Sequence, residues 1–180
     1  GEWQHNTTAI PGQIRVLKDI CMYLESLTKN PQGIYWSVEN NSLGEAALIV
    51  INDIGEENIP GLFVSEPIRK GHVRKFRKGF NTTHATKISA CSRLKVMIEN
   101  NKMGLHSKPF ISELKNYVAT GSSYQAKLGT TDDLISASLL AIRMMTVLRD
   151  WDPRVYDTFV QAEHNEDYEP PMPIFISSNF

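Results

Sequence analysis

The chain has 180 residues, of which 41% are apolar and 22% charged, and its formal net charge is −1. That length fits one domain, or one domain with a tail, and the apolar content can build a core, so wholesale disorder is excluded. A total charge near zero excludes a general electrostatic attraction to nucleic acid, but the distribution is uneven. Six of the ten residues from Arg69 to Lys78 are Lys or Arg, whereas the stretch from Asp150 to Glu169 is acidic. Cys21 and Cys91 each fall within an apolar helical pattern and read as small core residues of a reducing compartment, not as a disulfide. Neither CxxC nor HExxH occurs, which argues against zinc. No apolar stretch has the length of a membrane span and no signal peptide opens the chain, so a soluble, cytosolic protein is expected.

In chain order, Glu2 to Thr8 read as the end of a strand. A first helix follows, with Pro11 in its first turn and Ile10, Ile14, Leu17, Cys21, Leu24 and Leu27 on one apolar face. Asn30-Pro31 stops it, and a strand from Ile34 to Glu39 comes next. Ser42 with Glu45 matches a capping box for a helix from about Gly44 to Ile54. Leu62-Phe63-Val64 reads as a short buried strand. The stretch from Ser65 to Thr83 is long for a connection inside a domain, and such loops are usually functional or disordered. Helices are then expected from His84 to Met103 and, capped by Ser107, from Pro109 to Ala119. Tyr124, Ala126 and Leu128 alternate as a strand, and Thr131 caps a last helix that ends near Asp152-Pro153. The order β-α-β-α-β-loop-α-(β)-α-β-α implies an α/β domain over residues 1–152, a largely parallel or mixed sheet flanked by helices, with residues 153–180 as a C-terminal tail.

Two acidic signals, 94 residues apart, suggest chemistry. Glu39 closes the apolar run from Gly33, at the C-terminal end of its strand, where sites gather in such sheets. Asp132-Asp133 opens the apolar run Leu134 to Leu140, on the first turn of a helix. Two like charges at ~4 Å repel by roughly 4 kcal/mol at an effective dielectric of about 20, and a divalent cation removes that cost. A metal-dependent phosphodiesterase follows that logic. Each piece also has a plain structural reading. A Glu at a strand end is commonly solvated, acidic residues suit a helix N-terminus, and a basic run is commonly a solvated loop. Spacing alone leaves these alternatives open.

Resemblance adds to it. Ile34-Tyr35-Trp36-Ser37-Val38-Glu39-Asn40-Asn41-Ser42-Leu43-Gly44 resembles the second acidic motif of the nuclease domain of bacteriophage large terminase subunits. Thr131-Asp132-Asp133-Leu134-Ile135-Ser136-Ala137-Ser138-Leu139 resembles the third, and Thr86 to Lys95 resembles a basic helix start between them. His5-Asn6-Thr7-Thr8 before the first helix also fits, so the resemblance covers roughly residues 3–152, in the manner of contractile-tailed phages. It implies a ribonuclease H-like fold and an Mg²⁺- or Mn²⁺-dependent endodeoxyribonuclease that cuts double-stranded DNA by two-metal hydrolysis. Glu39 would be the second metal ligand and catalytic group, Asp133 the third, with Asp132 supporting or alternative. Arg69, Lys70, Arg74, Lys75, Arg77, Lys78 and Lys87 would bind DNA. The implied partners are double-stranded DNA, the ATPase domain of the same terminase, the portal or procapsid and the small terminase subunit, with no membrane. The implied location is the host cytoplasm, at the procapsid.

Two departures qualify this expectation. The first acidic motif, an Asp on the first strand of the sheet, would lie upstream of Gly1, so the first strands are expected to be missing and the chain alone to be weak or inactive. No GxxxxGK[ST] occurs, so the packaging ATPase is not in this stretch. The competing readings are a non-catalytic DNA-binding module and an adaptor whose tail, with Ile174-Phe175-Ile176, docks on a portal.

Overall fold

A computed structural model describes residues 1–67 and 78–151. Two units are distinguished, residues 1–147 and 148–180, and apart from the last turn of the final helix the features below belong to the first.

Pro11 sits in the first turn of α1 (Ile10–Thr28), where its missing N–H is no loss and its fixed φ suits a helix. Lys29 ends the helix in the left-handed region, with φ 53°, its N–H donating to the Glu25 carbonyl. Ile14 and Cys21 are buried, with Ile10 and Leu17 packed beside them. The expected apolar face is not covered to its end, since Leu27 remains 62% exposed. Residues 1–9 form no strand, contrary to expectation. The Nδ1 of His5 instead accepts the Thr8 N–H at 3.1 Å, a local turn that competes with sheet pairing.

β1 (Tyr35–Trp36) pairs in parallel with β2 (Leu62–Phe63). The Leu62 N–H donates to the Ile34 carbonyl at 2.8 Å and the Val64 N–H to the Trp36 carbonyl at 2.9 Å. The Phe80 N–H then donates to the Val38 carbonyl at 3.1 Å, and the Asn40 N–H to the Phe80 carbonyl at 2.7 Å. Carbonyls two residues apart face the same strand edge. One edge of residues 34–40 is thus lined first by β2 and then, after the intervening segment, by the bridge between Glu39 and Phe80. α2 (Ser42–Ile54) follows at once, capped by Asn41 rather than by Ser42.

α3 (His84–Glu99) opens on a capping box of Thr83 and Thr86 and stops four residues before the expected Met103. α4 (Lys108–Asn116) is capped by Ser107. The helix expected to continue to Ala119 gives way to β3 (Tyr117–Thr120), which turns through Gly121-Ser122 into β4 (Ser123–Ala126) as an antiparallel hairpin. Tyr117-Val118 and Thr120 are aromatic or β-branched and favour a pleated strand, and Gly121 takes the positive φ of the turn, 60°. Leu128 lies beyond the hairpin and is exposed. No strand separates α3 from α4. α5 (Asp133–Trp151) closes the described chain.

Two apolar clusters hold these elements. One joins α1, β1 and α2 through Ile14, Cys21, Ile34, Trp36 and Ile51. The other joins α3, α4 and α5 through Ala90, Leu94, Phe110, Ile135, Leu139 and Ile142. Among the described residues, five α-helices with small parallel and antiparallel sheets make an α/β fold. Among the described residues, no helix is long and apolar enough to cross a membrane.

Candidate functional site

Glu39 is placed by its immediate neighbours. Its backbone is locked in the bridge to Phe80, a residue with no exposed surface. α2 turns back so closely over it that a Cβ on Gly44 would lie 1.7 Å from the Glu39 carbonyl oxygen, so only glycine fits there. On the other flank, Gly79 has φ 81° and a Cβ there would lie 2.5 Å from the Val38 carbonyl oxygen. The Asn41 amide donates to the Glu39 carboxylate at 3.1 Å while its oxygen accepts the Gly44 N–H at 2.9 Å. One side chain therefore caps α2 and orients the acid.

Glu39 lines a small cavity of about 70 Å³ together with Thr82, Lys87, Ser136 and Arg143. Ser136 and Arg143 come from the α5 face that also carries Asp132, since residues four and seven apart share a helix face. Lys87 links the two acidic corners. It lines the cavity with Glu39, and its Nζ lies 3.8 Å from Asp132 Oδ2 and 5.7 Å from the centre of the Tyr117 ring. Arg143 is more firmly held. Its side chain is only 11% exposed, pairs with Glu66, donates to Thr82 Oγ1 at 3.1 Å and to the Asn81 carbonyl at 3.0 Å, and lies 5.2 Å from the centre of the Phe80 ring.

The two aspartates part company. Asp132 faces Lys87, whereas Asp133 Oδ2 accepts the Gln4 amide at 2.9 Å. Gln4 also donates to Glu113 at 3.3 Å. The described contacts thus connect Glu39, Lys87 and Asp132, and turn Asp133 toward Gln4 and Glu113. Thr131 was expected to cap α5, but its hydroxyl donates to Glu113 at 3.1 Å and the cap comes from Glu113 itself. Glu113, Gln4 and Arg143 join the site only through the fold. The signal for Glu113 was a carboxylate in line with Phe110, Leu114 and Tyr117 on the apolar face of a short helix.

Of the expected DNA-binding residues, Arg69, Lys70, Arg74, Lys75 and Arg77 lie outside the described residues. The ends of the segment that contains them are described. The Glu66 N–H donates to the Gly79 carbonyl at 3.1 Å and the Gly79 N–H to Ser65 Oγ at 3.0 Å, beside Arg143 and the cavity. Lys78 pairs with Glu56 and faces a separate pocket on α2. Near Lys87, burial raises the Cys91 thiol above its ordinary value of 9.0, with opposing hydrogen-bond help from Tyr117, and burial likewise pushes the Tyr117 hydroxyl upward.

As a donor set for a divalent ion, this arrangement falls short. Among the described residues, no three Asp, Glu, His or Cys side chains gather at one point, and the acids nearest the cavity have Lys87 and Arg143 for neighbours. Glu39 and Asp132 supply hard oxygen donors but not a metal cage.

The sequence matches the family model described as a terminase RNaseH-like domain over residues 21–145. That span covers β1, Glu39, the cavity and the start of α5. No curated protein matches the chain.

Proposed function

The chain belongs to the terminase ribonuclease H-like domain family, and we propose that it is the DNA-cutting module of a bacteriophage packaging terminase. The family implies a nuclease module with DNA and packaging-machine partners in general, of a class that generally uses divalent metals. The finer reading is an Mg²⁺- or Mn²⁺-dependent endonuclease acting on double-stranded DNA in the host cytoplasm, at the procapsid. Glu39 and the Asp132-Asp133 pair would be its acidic contribution. An ATPase domain, a small terminase subunit and a portal would be its partners.

The observation that carries this reading is the cavity where Glu39, Lys87 and Arg143 meet, with Asp132 paired to Lys87 at 3.8 Å. Glu66 and Gly79, which flank the segment of sequence carrying Arg69 to Arg77, are joined by a 3.1 Å hydrogen bond beside the rim of that cavity. Cationic side chains beside acids suit a phosphodiester, whose phosphate needs positive partners and whose hydrolysis needs an oriented water. Lys87 and the basic segment would bind backbone phosphates, Arg143 would brace the rim, and Glu39 would orient the reacting group. Because the donors among the described residues do not complete a metal cage, the reading requires a further carboxylate from outside them.

The test is cleavage of a linear duplex with Mn²⁺, by the isolated chain and by a complete terminase carrying the same residues. Loss of cleavage in the complete protein on Glu39→Ala supports the reading, and unchanged cleavage sinks it. A second reading, a non-catalytic DNA-binding module, draws on the two cations in the cavity. It predicts duplex affinity that falls with salt and is indifferent to both Glu39→Ala and Asp132→Ala.

A further inference from the structure

Asp132 occupies the N-cap position of α5. Its carbonyl accepts the Ser136 N–H at 2.8 Å, the first bond inside the helix, and the helix begins at Asp133. An aspartate in that position ordinarily spends its carboxylate on the second or third N–H of its own helix. Here those two groups are already taken. Glu113, projecting from α4 and only 7% exposed, accepts the Leu134 N–H at 2.9 Å and the Ile135 N–H at 3.1 Å on the same oxygen. Its other oxygen accepts the Thr131 hydroxyl at 3.1 Å and the Gln4 amide at 3.3 Å. A buried carboxylate is costly unless its oxygens are paired, and four donors plus the positive end of a helix offset that cost.

We propose that Glu113 is a positioning residue that caps α5 from a neighbouring helix and so releases the Asp132 carboxylate to face Lys87 and the Glu39 cavity. Competition between two carboxylates for the same N–H groups is the physical basis. With Glu113 in place, the two N–H groups that Asp132 would ordinarily cap are occupied, and it turns to the ammonium 3.8 Å away. Without it, Asp132 is the nearest acceptor for the two abandoned N–H groups and swings back to cap. Gln4 serves the second aspartate in parallel, bridging Asp133 and Glu113 with one amide nitrogen. The orientation of the acidic pair is thus set by residues 4 and 113, on two other segments. The catalytic significance of this device rests on the nuclease reading above; the device itself does not.

The experiment compares Asp132→Ala in the wild-type chain and in the Glu113→Ala background, which removes the acceptor altogether. In the wild type, the Leu134 and Ile135 amide resonances and their hydrogen-exchange protection should be unchanged by Asp132→Ala. In the Glu113→Ala background the same substitution should lower Tm by about 2–4 °C beyond its wild-type effect, because Asp132 has become the cap. Equal Tm shifts in both backgrounds would overturn the proposal. So would loss of Leu134 and Ile135 protection when Asp132→Ala is made alone, a result readable even if Glu113→Ala does not fold. In a complete terminase, Glu113→Ala should reduce kcat about tenfold or more while KM for duplex DNA stays within about twofold. An equal loss in KM would mark Glu113 as merely structural. Cleavage that survives Glu39→Ala would remove the nuclease reading and leave the capping result standing.

Discussion

The two acidic corners are held in opposite ways. Glu39 is fixed by residues within five positions of it in sequence, namely Asn41 and Gly44, aided by the bridge to Phe80. Asp132 and Asp133 are directed by Lys87, Glu113 and Gln4, from α3, α4 and the N-terminal segment. The first corner is a local motif that travels as a unit. The second is a tertiary arrangement in which a helix start is capped by a residue from elsewhere, leaving the local carboxylates available for other work. A site assembled from one corner of each kind depends on the packing that brings α3 and α5 to one cavity with Glu39.

The largest expected effect comes from breaking the local corner. Gly44→Ala places a methyl 1.7 Å from the Glu39 carbonyl oxygen, with no room for either backbone to yield. A loss of ~3 kcal/mol of stability is expected in urea denaturation. A loss under about 0.5 kcal/mol, the range of neutral surface changes, would mean that the α2 turn is looser than described. Breaking the distant corner comes next. Glu113→Leu removes the buried acceptor of the Leu134 and Ile135 N–H groups and of the Thr131 hydroxyl, and even with Asp132 turned back to cap it should cost ~2 kcal/mol, read as a lower urea midpoint at unchanged slope. Asn41→Ala removes a cap and should cost ~1 kcal/mol, while also freeing the Glu39 carboxylate from its amide at 3.1 Å.

Solution pH probes the packing of both apolar clusters. Burial raises the thiols of Cys21 and Cys91 above 9.0, and the Tyr117 hydroxyl rises as well. Folding therefore favours the protonated forms. The unfolded chain loses protons first as pH rises through about 9, so stability should be flat below that and decline above it. A Tm that stays level to pH 10.5 would contradict this. The smallest effect belongs to Lys78→Ala. Its pairing with Glu56 is largely exposed, so stability should move by less than ~0.5 kcal/mol. If Lys78 contacts a DNA phosphate, the slope of log affinity against log salt should become shallower by about 0.9, and an unchanged slope would exclude it from the interface.

Much of the first corner was legible in sequence because its causes are local. The apolar run to Glu39, the polar turn after it and the glycine at position 44 sit within eleven consecutive residues, and α2 begins where that pattern changes. The cap was placed one residue late, at Ser42 rather than Asn41. Two adjacent residues of cap-forming type cannot be ranked without the backbone path. α4 was extended into β3, because a Tyr-Val-Ala-Thr run carries no helix stop and its hairpin partner lies across a turn. An N-terminal strand was expected where a His5–Thr8 turn stands, since a short polar segment satisfies its backbone locally as readily as in a sheet.

What the sequence by itself determined is the order of the helices among the described residues, the strands that contain Tyr35-Trp36 and Leu62-Phe63, and the uneven placing of acidic and basic residues along the chain. Each of these follows from periodicity, turn chemistry or residue type over short spans. Only the tertiary structure decided which aspartate faces Lys87 and that Thr131 yields its capping role to Glu113. It also decided that Arg143 is tied to Glu66, Asn81 and Thr82 at the cavity rim. The physical reason is competition. A helix N-terminus, a carboxylate or a guanidinium takes the best partner that packing brings within reach, and residues 4, 113 and 66 become candidates only once the chain has folded.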